Sequence, residues 1–225
     1  AGFNVALAGD VNNDGLSDIV VTAPGADPRG DASGSAYVAF GKVSAFQPSI
    51  ALDALAGSTG FRLAGNAADA ELAHAAVAAG DFDGDGIEDF LLGRPASNEG
   101  GADSGAAYVL LGDGSLVAPE RSIAEVDPAA IRTIAGSSDA GRVGFSVGSG
   151  DFNGDGKADI VLGAPDATAG GSGAGAAYVI FGDATTPATI DLLDGSNGFR
   201  LTGANIDGHS GFAVDGAGDV NGDGI

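Results

Sequence analysis

Four stretches of this 225-residue chain carry carboxylates at a fixed spacing. The first three read Asp10-Val-Asn12-Asn-Asp14-Gly15-Leu16-Ser-Asp18, Asp81-Phe-Asp83-Gly-Asp85-Gly86-Ile87-Glu-Asp89 and Asp151-Phe-Asn153-Gly-Asp155-Gly156-Lys157-Ala-Asp159. Oxygen-bearing side chains stand at positions 1, 3, 5 and 9, and glycine at position 6. A hard cation such as Ca2+ takes six to eight oxygens. A tight loop can aim alternate side chains, plus the position 7 carbonyl of Leu16, Ile87 or Lys157, at one centre. Glycine at position 6 permits the sharp turn this needs. Without an ion, the clustered carboxylates would repel one another. An EF-hand would add a bidentate Glu at position 12, where this chain has Val21, Leu92 and Leu162. The fourth stretch, Asp219-Val-Asn221-Gly-Asp223-Gly224-Ile225, reaches only position 7, so its site is incomplete.

The loops recur with a period near seventy residues. The first aspartates are Asp10, Asp81, Asp151 and Asp219, and an Ala-Tyr-Val segment follows at Tyr37, Tyr108 and Tyr178. The pairs Phe61-Arg62, Ile131-Arg132 and Phe199-Arg200 keep the same step. The repeats are placed at 1–71, 72–142 and 143–209, with a partial copy at 210–225, all within one domain. Apolar runs in each repeat are short, rich in branched and aromatic residues, and bounded by Gly, Pro, Asn and Asp. In the first repeat they fall at Val5 to Ala8, Ile19 to Ala23, Ala36 to Phe40 and Phe61 to Ala64, four strands in all. Each acidic loop therefore joins two strands. Radially repeated four-stranded units are the blades of a β-propeller, and the fold predicted is all-β, with three blades and the start of a fourth in a partial ring. Longer connections at Val43 to Ala56, Ala118 to Ala130 and Ala184 to Leu193 have room for a helical turn.

Composition excludes other classes. A net charge of −22 leaves no basic face for nucleic acid. No run of about 20 apolar residues offers a transmembrane helix, and no basic-then-apolar start reads as a signal peptide. The absence of cysteine removes disulfides, thiolate metal sites and a cysteine nucleophile.

Two further elements accompany the loops. Gly2-Phe3, Gly144-Phe145 and Gly211-Phe212 precede the first, third and fourth, with Ala73-His74 in the second repeat. Thr22-Ala23-Pro24, Gly93-Arg94-Pro95 and Gly163-Ala164-Pro165 follow the first three. With these elements the chain resembles the FG-GAP repeats of integrin α-subunit head domains and their bacterial relatives. The resemblance implies a seven-bladed propeller with Ca2+ in the loops, outside the cell or on its surface. It implies a non-catalytic role in adhesion or ligand binding, with a protein or glycan partner or further copies of the chain. Some members attach the propeller to a secreted enzyme such as a phospholipase. Three blades and a piece cannot close such a ring, so a longer polypeptide, or completion through another chain, is expected. End-to-end joining of incomplete blades into a surface fibre or layer is the structural alternative.

Other motifs carry less. Arg29-Gly30-Asp31 matches the tripeptide that many integrins recognise, but one tripeptide in a glycine-rich chain is weak support for a role. The overlapping Asp31-Ala-Ser33-Gly-Ser35 reads as a turn before a strand. Gly171-Ser-Gly173-Ala-Gly175 opens a strand, with no helix N-terminus to hold a phosphate. His74 occupies the slot of Phe3 and Phe212, which favours packing over chemistry. Arg62, Arg132 and Arg200 are expected to pair with a blade acid or to cover apolar surface.

Overall fold

The computed structural model describes residues 1–66, 71–112, 120–137, 141–182 and 189–222. Thirteen strands are found among them: β1 Val5–Gly9, β2 Asp18–Ala23, β3 Ser35–Ala39, β4 Gly60–Ala64, β5 Ala76–Gly80, β6 Asp89–Arg94, β7 Ala106–Leu110, β8 Glu120–Ser122, β9 Ile131–Ala135, β10 Ser146–Gly150, β11 Asp159–Ala164, β12 Ala176–Ile180 and β13 Gly198–Thr202. They form three sheets, in the orders β1-β2-β3-β4-β8, β5-β6-β7-β9 and β10-β11-β12-β13. The fold is all-β, as expected, and the only helices among the described residues are short 3-10 turns. Those turns, at Leu52–Ala54, Ile123–Glu125, Pro128–Ala130 and Ile190–Leu192, lie in the long connections. Residues 118–119 and 184–188 of those connections lie outside the described residues.

Each repeat is an antiparallel meander, because its strands are short and separated by turn residues. The first sheet departs from the expected four strands. Glu120–Ser122, from the second repeat, adds a fifth in parallel to β4, with Arg62 opposite Glu120 and an Arg62–Glu120 ion pair at 3.6 Å. The same exchange recurs more briefly where Thr189 bridges Ala135. The connection of each following repeat thus covers the outer edge of the one before, which protects that edge from foreign pairing. Residues 210–222 form no strand of their own; Ser210 makes a bridge to Gly175.

The core lies between the sheets. One cluster joins the first two through Val20, Val38, Phe61, Leu63, Phe90 and Leu92. The other joins the second and third through Leu91, Val109, Ile134, Ile160, Leu162 and Ile180. At about 1.5–3 kcal/mol for each fully buried large side chain, these two layers hold the sheets face to face. The three sheets leave both outer ends open. Val5 and Leu7 on β1, and Phe199 and Leu201 on β13, are exposed.

An aromatic row crosses the sheets. Phe3 packs against His74 with ring centroids 4.9 Å apart, His74 against Phe145 at 4.6 Å, and Phe145 against Phe212 at 4.9 Å, each pair tilted. His74 therefore does the packing work of a phenylalanine, and its Nδ1 also lies 3.0 Å from the carbonyl of Phe145.

Candidate metal centre

All three complete acidic loops connect the first strand of a sheet to the second, and all use one hydrogen-bonding scheme. The first aspartate folds the loop around itself: Gly15, Gly86 and Gly156 donate their N–H to Asp10 Oδ2, Asp81 Oδ2 and Asp151 Oδ2 at 2.7, 3.0 and 3.0 Å. Position 3 accepts from the position 5 N–H, as Asn12 from Asp14, Asp83 from Asp85 and Asn153 from Asp155. Position 5 accepts from position 7, as Asp14 from Leu16, Asp85 from Ile87 and Asp155 from Lys157. Such side-chain-to-backbone turns are what Asp and Asn form most readily, and they explain why these residue types are needed. The glycines at position 6 have φ of +86°, +90° and +87°, a left-handed conformation that a side chain would strain.

Position 9 is buried. Asp89 accepts from Phe82 N–H and Gly112 N–H, both at 2.8 Å. Asp18 does the same with Val11 and Gly41, and Asp159 with Phe152 and Gly182. Burial pushes the Asp89 carboxyl up to about 7 and that of Asp18 to about 6, and raises that of Asp159, against the opposing pull of the backbone donors. Burial, and next the Asp85 charge, also raise Asp83.

In the second loop one carboxylate oxygen each from Asp81, Asp83 and Asp89 lies within 4.8 Å of the other two. Oxygens bound to one Ca2+ at about 2.3–2.6 Å stand at most ~5 Å apart across the ion, so this group has the dimension such a cation requires. The donors are all hard oxygens, which suits Ca2+ and not a soft metal. Asp85 stands outside the group of three and is engaged with the N–H of Ile87. The first and third loops repeat the scheme with the neutral Asn12 and Asn153 at position 3, whose Nδ2 groups donate to Asp14 and Asp155. In the fourth, Gly222 N–H donates to Asp219 Oδ1 at 2.6 Å, as Gly84 does to Asp81 and Gly154 to Asp151. Asn221 lies in the same described turn, and Asp223 lies outside the described residues.

Two sets of residues that position the loops escaped the sequence reading. Gly41, Gly112 and Gly182 tie the end of the third strand to the position 9 carboxylate. A Cβ on them would come within 2.7, 2.3 and 2.2 Å of the position 8 carbonyls of Ser17, Glu88 and Ala158. Their signal was a glycine 23 residues beyond each position 9 aspartate. The second set is the glycine before position 1, present as Gly9, Gly80, Gly150 and Gly218.

The remaining motifs resolve into structure. Arg29 of the Arg-Gly-Asp segment pairs with Glu125 at 3.4 Å. Arg62 pairs with Glu120 as expected and lies over the Tyr37 ring, whereas Arg132 donates to the carbonyl of Ala129. Arg94 is buried, where Ala23 and Ala164 stand in the other repeats. It donates through one nitrogen to Glu99 at 3.1 Å and to the Tyr108 hydroxyl at 2.8 Å.

The model of the FG-GAP repeat matches residues 1–39, 75–110 and 143–180, spans that include the three loops and the strands around them. The chain is 30% identical over 182 residues to a phosphatidylinositol-glycan-specific phospholipase D of Dictyostelium discoideum, covering 76% of this chain and 19% of that protein. It is 30% identical over 152 residues to integrin alpha-PS2 of Drosophila melanogaster, covering 65% of this chain and 10% of that protein. It therefore spans less than a fifth of the length of either relative. With three matched copies that coincide with the three sheets and their acidic loops, the chain belongs to the FG-GAP repeat family.

Proposed function

We propose that this chain is a non-catalytic, calcium-binding β-propeller segment that works outside the cell or on its surface and presents its loops to a protein or glycan ligand. Each complete loop holds one Ca2+. The first holds it through Asp10, Asn12, Asp14, Asp18 and the Leu16 carbonyl. The second uses Asp81, Asp83, Asp85, Asp89 and the Ile87 carbonyl, and the third Asp151, Asn153, Asp155, Asp159 and the Lys157 carbonyl. Asp219, Asn221 and Asp223 open a fourth. When bound, the ion neutralises the converging carboxylates and binds the native state alone, which stabilises the fold. The observation that carries this reading is the convergence of Asp81, Asp83 and Asp89 on a volume of calcium size. Loops of this kind fill where calcium is abundant, which favours an extracellular setting.

The similarity to the phospholipase D favours a second reading, in which the segment is the accessory propeller of a secreted hydrolase. The exposed apolar side chains of Val5 and Leu7 on β1, and of Phe199 and Leu201 on β13, favour a third, in which segments associate with each other.

Thermal unfolding against free calcium, from excess chelator to several millimolar, tests the calcium reading with magnesium as the control. A midpoint rise of at least several degrees with calcium alone is the expected result. An unchanged midpoint would remove the basis of both the ion assignment and the extracellular placement.

A further inference from the structure

The three loops touch one another, and always through the same position. The eighth residue of each following loop lies on the first residue of the loop before it. Glu88 Oε2 accepts a hydrogen bond from the N–H of Asp10 at 2.8 Å, across 78 residues of sequence. Ala158 donates its N–H to the carbonyl of Asp81 at 2.9 Å. The glycine before each first aspartate makes room for this contact. A Cβ on Gly9 would come within 2.6 Å of Glu88 Oε2, and one on Gly80 within 2.7 Å of Ala158 Cβ. At both places the ladder slips: the register shifts between Leu7 and Gly9 and again between Ala78 and Gly80.

Glu88 sits between Ile87 and Asp89, two of the groups that would surround the second ion, and Ala158 sits likewise between Lys157 and Asp159. An ion in the second loop would fix the backbone on both sides of Glu88, and the Glu88 carboxylate would then fix the backbone of Asp10, the first donor of the preceding site. We propose that the three loops load calcium as a coupled row and that Glu88 is the positioning residue that links the first loop to the second. This rests on the calcium reading above. Coupling of this kind is reciprocal, so filling the first loop tightens the second by the same factor.

The amides of Gly15, Gly86 and Gly156 each donate to a first-position carboxylate, so each reports its own loop. A calcium titration of the whole chain, followed by nuclear magnetic resonance at these three amides, resolves the sites one by one. Glu88→Ala is expected to weaken calcium at Gly15 by about fivefold or more, a typical coupling factor, with a smaller shift at Gly156 that reaches it through the second loop. Asp83→Ala, which disables the second loop, is expected to weaken the first in the wild-type background and not in the Glu88→Ala background. Glu88→Gln keeps an acceptor oxygen and is expected to restore the wild-type curve. If the glutamine variant instead behaves like the alanine variant, Glu88 acts through its charge alone and the positioning role falls. If the Gly15 and Gly86 curves are indifferent to each other's loop, the coupling falls while the calcium reading stands. If no amide moves with calcium, both fall together.

Discussion

The second repeat and its two neighbours share a backbone plan, and three of the positions at which they differ change the charge chemistry of the repeat. Asp83 replaces the asparagine of Asn12 and Asn153, Arg94 the alanine of Ala23 and Ala164, and His74 the phenylalanine of Phe3 and Phe145. Each change brings an ionisable group into a place that is otherwise neutral or apolar. The second repeat is also the one packed between two others, with Phe90 and Leu92 in one core cluster and Leu91 and Val109 in the other. These positions accept ionisable residues because specific partners face them. Glu99 and the Tyr108 hydroxyl meet Arg94, the Phe145 carbonyl meets His74, and the Asp85 N–H donates to Asp83. Enclosure alone would forbid such residues; enclosure with partners admits them.

The strongest way to break the comparison is to move the arginine without its acid. Ala164 is fully buried, and the residue equivalent to Glu99 is Ala169. Ala164→Arg would bury a guanidinium with no carboxylate to meet it, and a loss of about 3–5 kcal/mol is expected, read as a large drop in the denaturation midpoint. Arg94→Ala in the second repeat should cost less, roughly 2 kcal/mol, because the Tyr108 hydroxyl keeps its 2.6 Å bond to Glu99 and Glu99 reaches solvent. Equal losses in the two variants would show that the arginine depends on room and not on its partners.

A change of pH sharpens the comparison at the loops. In chelator, Asp89, Asp18 and Asp159 hold protons in the folded chain at pH values where unfolded aspartates have lost them. The folded state then binds more protons than the unfolded one between about pH 4 and pH 7, so stability rises as pH falls through that window. The ion-free protein is expected to melt several degrees higher at pH 5 than at pH 8. With calcium present the ion holds these groups ionised, protons compete with it, and the order should reverse. A midpoint that falls with acid in both media would mean that burial does not hold these carboxyls protonated in the ion-free state.

Much of this was legible in the residues. Strand positions followed from short apolar runs between glycines and aspartates, and β1 to β4 begin and end within a residue or so of the segments read from sequence. The loops were legible because position-by-position chemistry repeats three times. What stayed hidden depends on neighbours in space. The fifth strand of the first sheet is the outlying Glu120–Ser122, which has no alternation of its own and is a strand only because β4 offers an open edge. The role of Glu88 was not legible, since nothing local ties it to Asp10 seventy-eight positions away. The double duty of Asp89, Asp18 and Asp159 was equally invisible: spacing named them as ion ligands, while their backbone partners at Gly112, Gly41 and Gly182 come from the far end of the third strand.

The smallest effect is expected at His74, and its sign depends on pH. The ring lies between Phe3 and Phe145, and burial holds its pKa below the ordinary histidine value. The folded chain therefore keeps His74 neutral over a range in which the unfolded chain protonates it, and stability is lost as pH falls below the unfolded value of about 6.5. His74→Phe removes the contact with the Phe145 carbonyl, worth about 0.5–1.5 kcal/mol, and gains apolar burial of similar size. Near pH 8 the two nearly cancel, and the variant should fall within about 1 kcal/mol of the wild type. At pH 5 the wild type carries the cost of a neutral histidine and the phenylalanine does not, so the variant should gain in relative stability. Chemical denaturation of both proteins at the two pH values measures this difference of differences. A variant that instead loses ground at acid pH would show that His74 is stabilised as a cation, which would make the second repeat's histidine a charged anchor and not a substitute for phenylalanine.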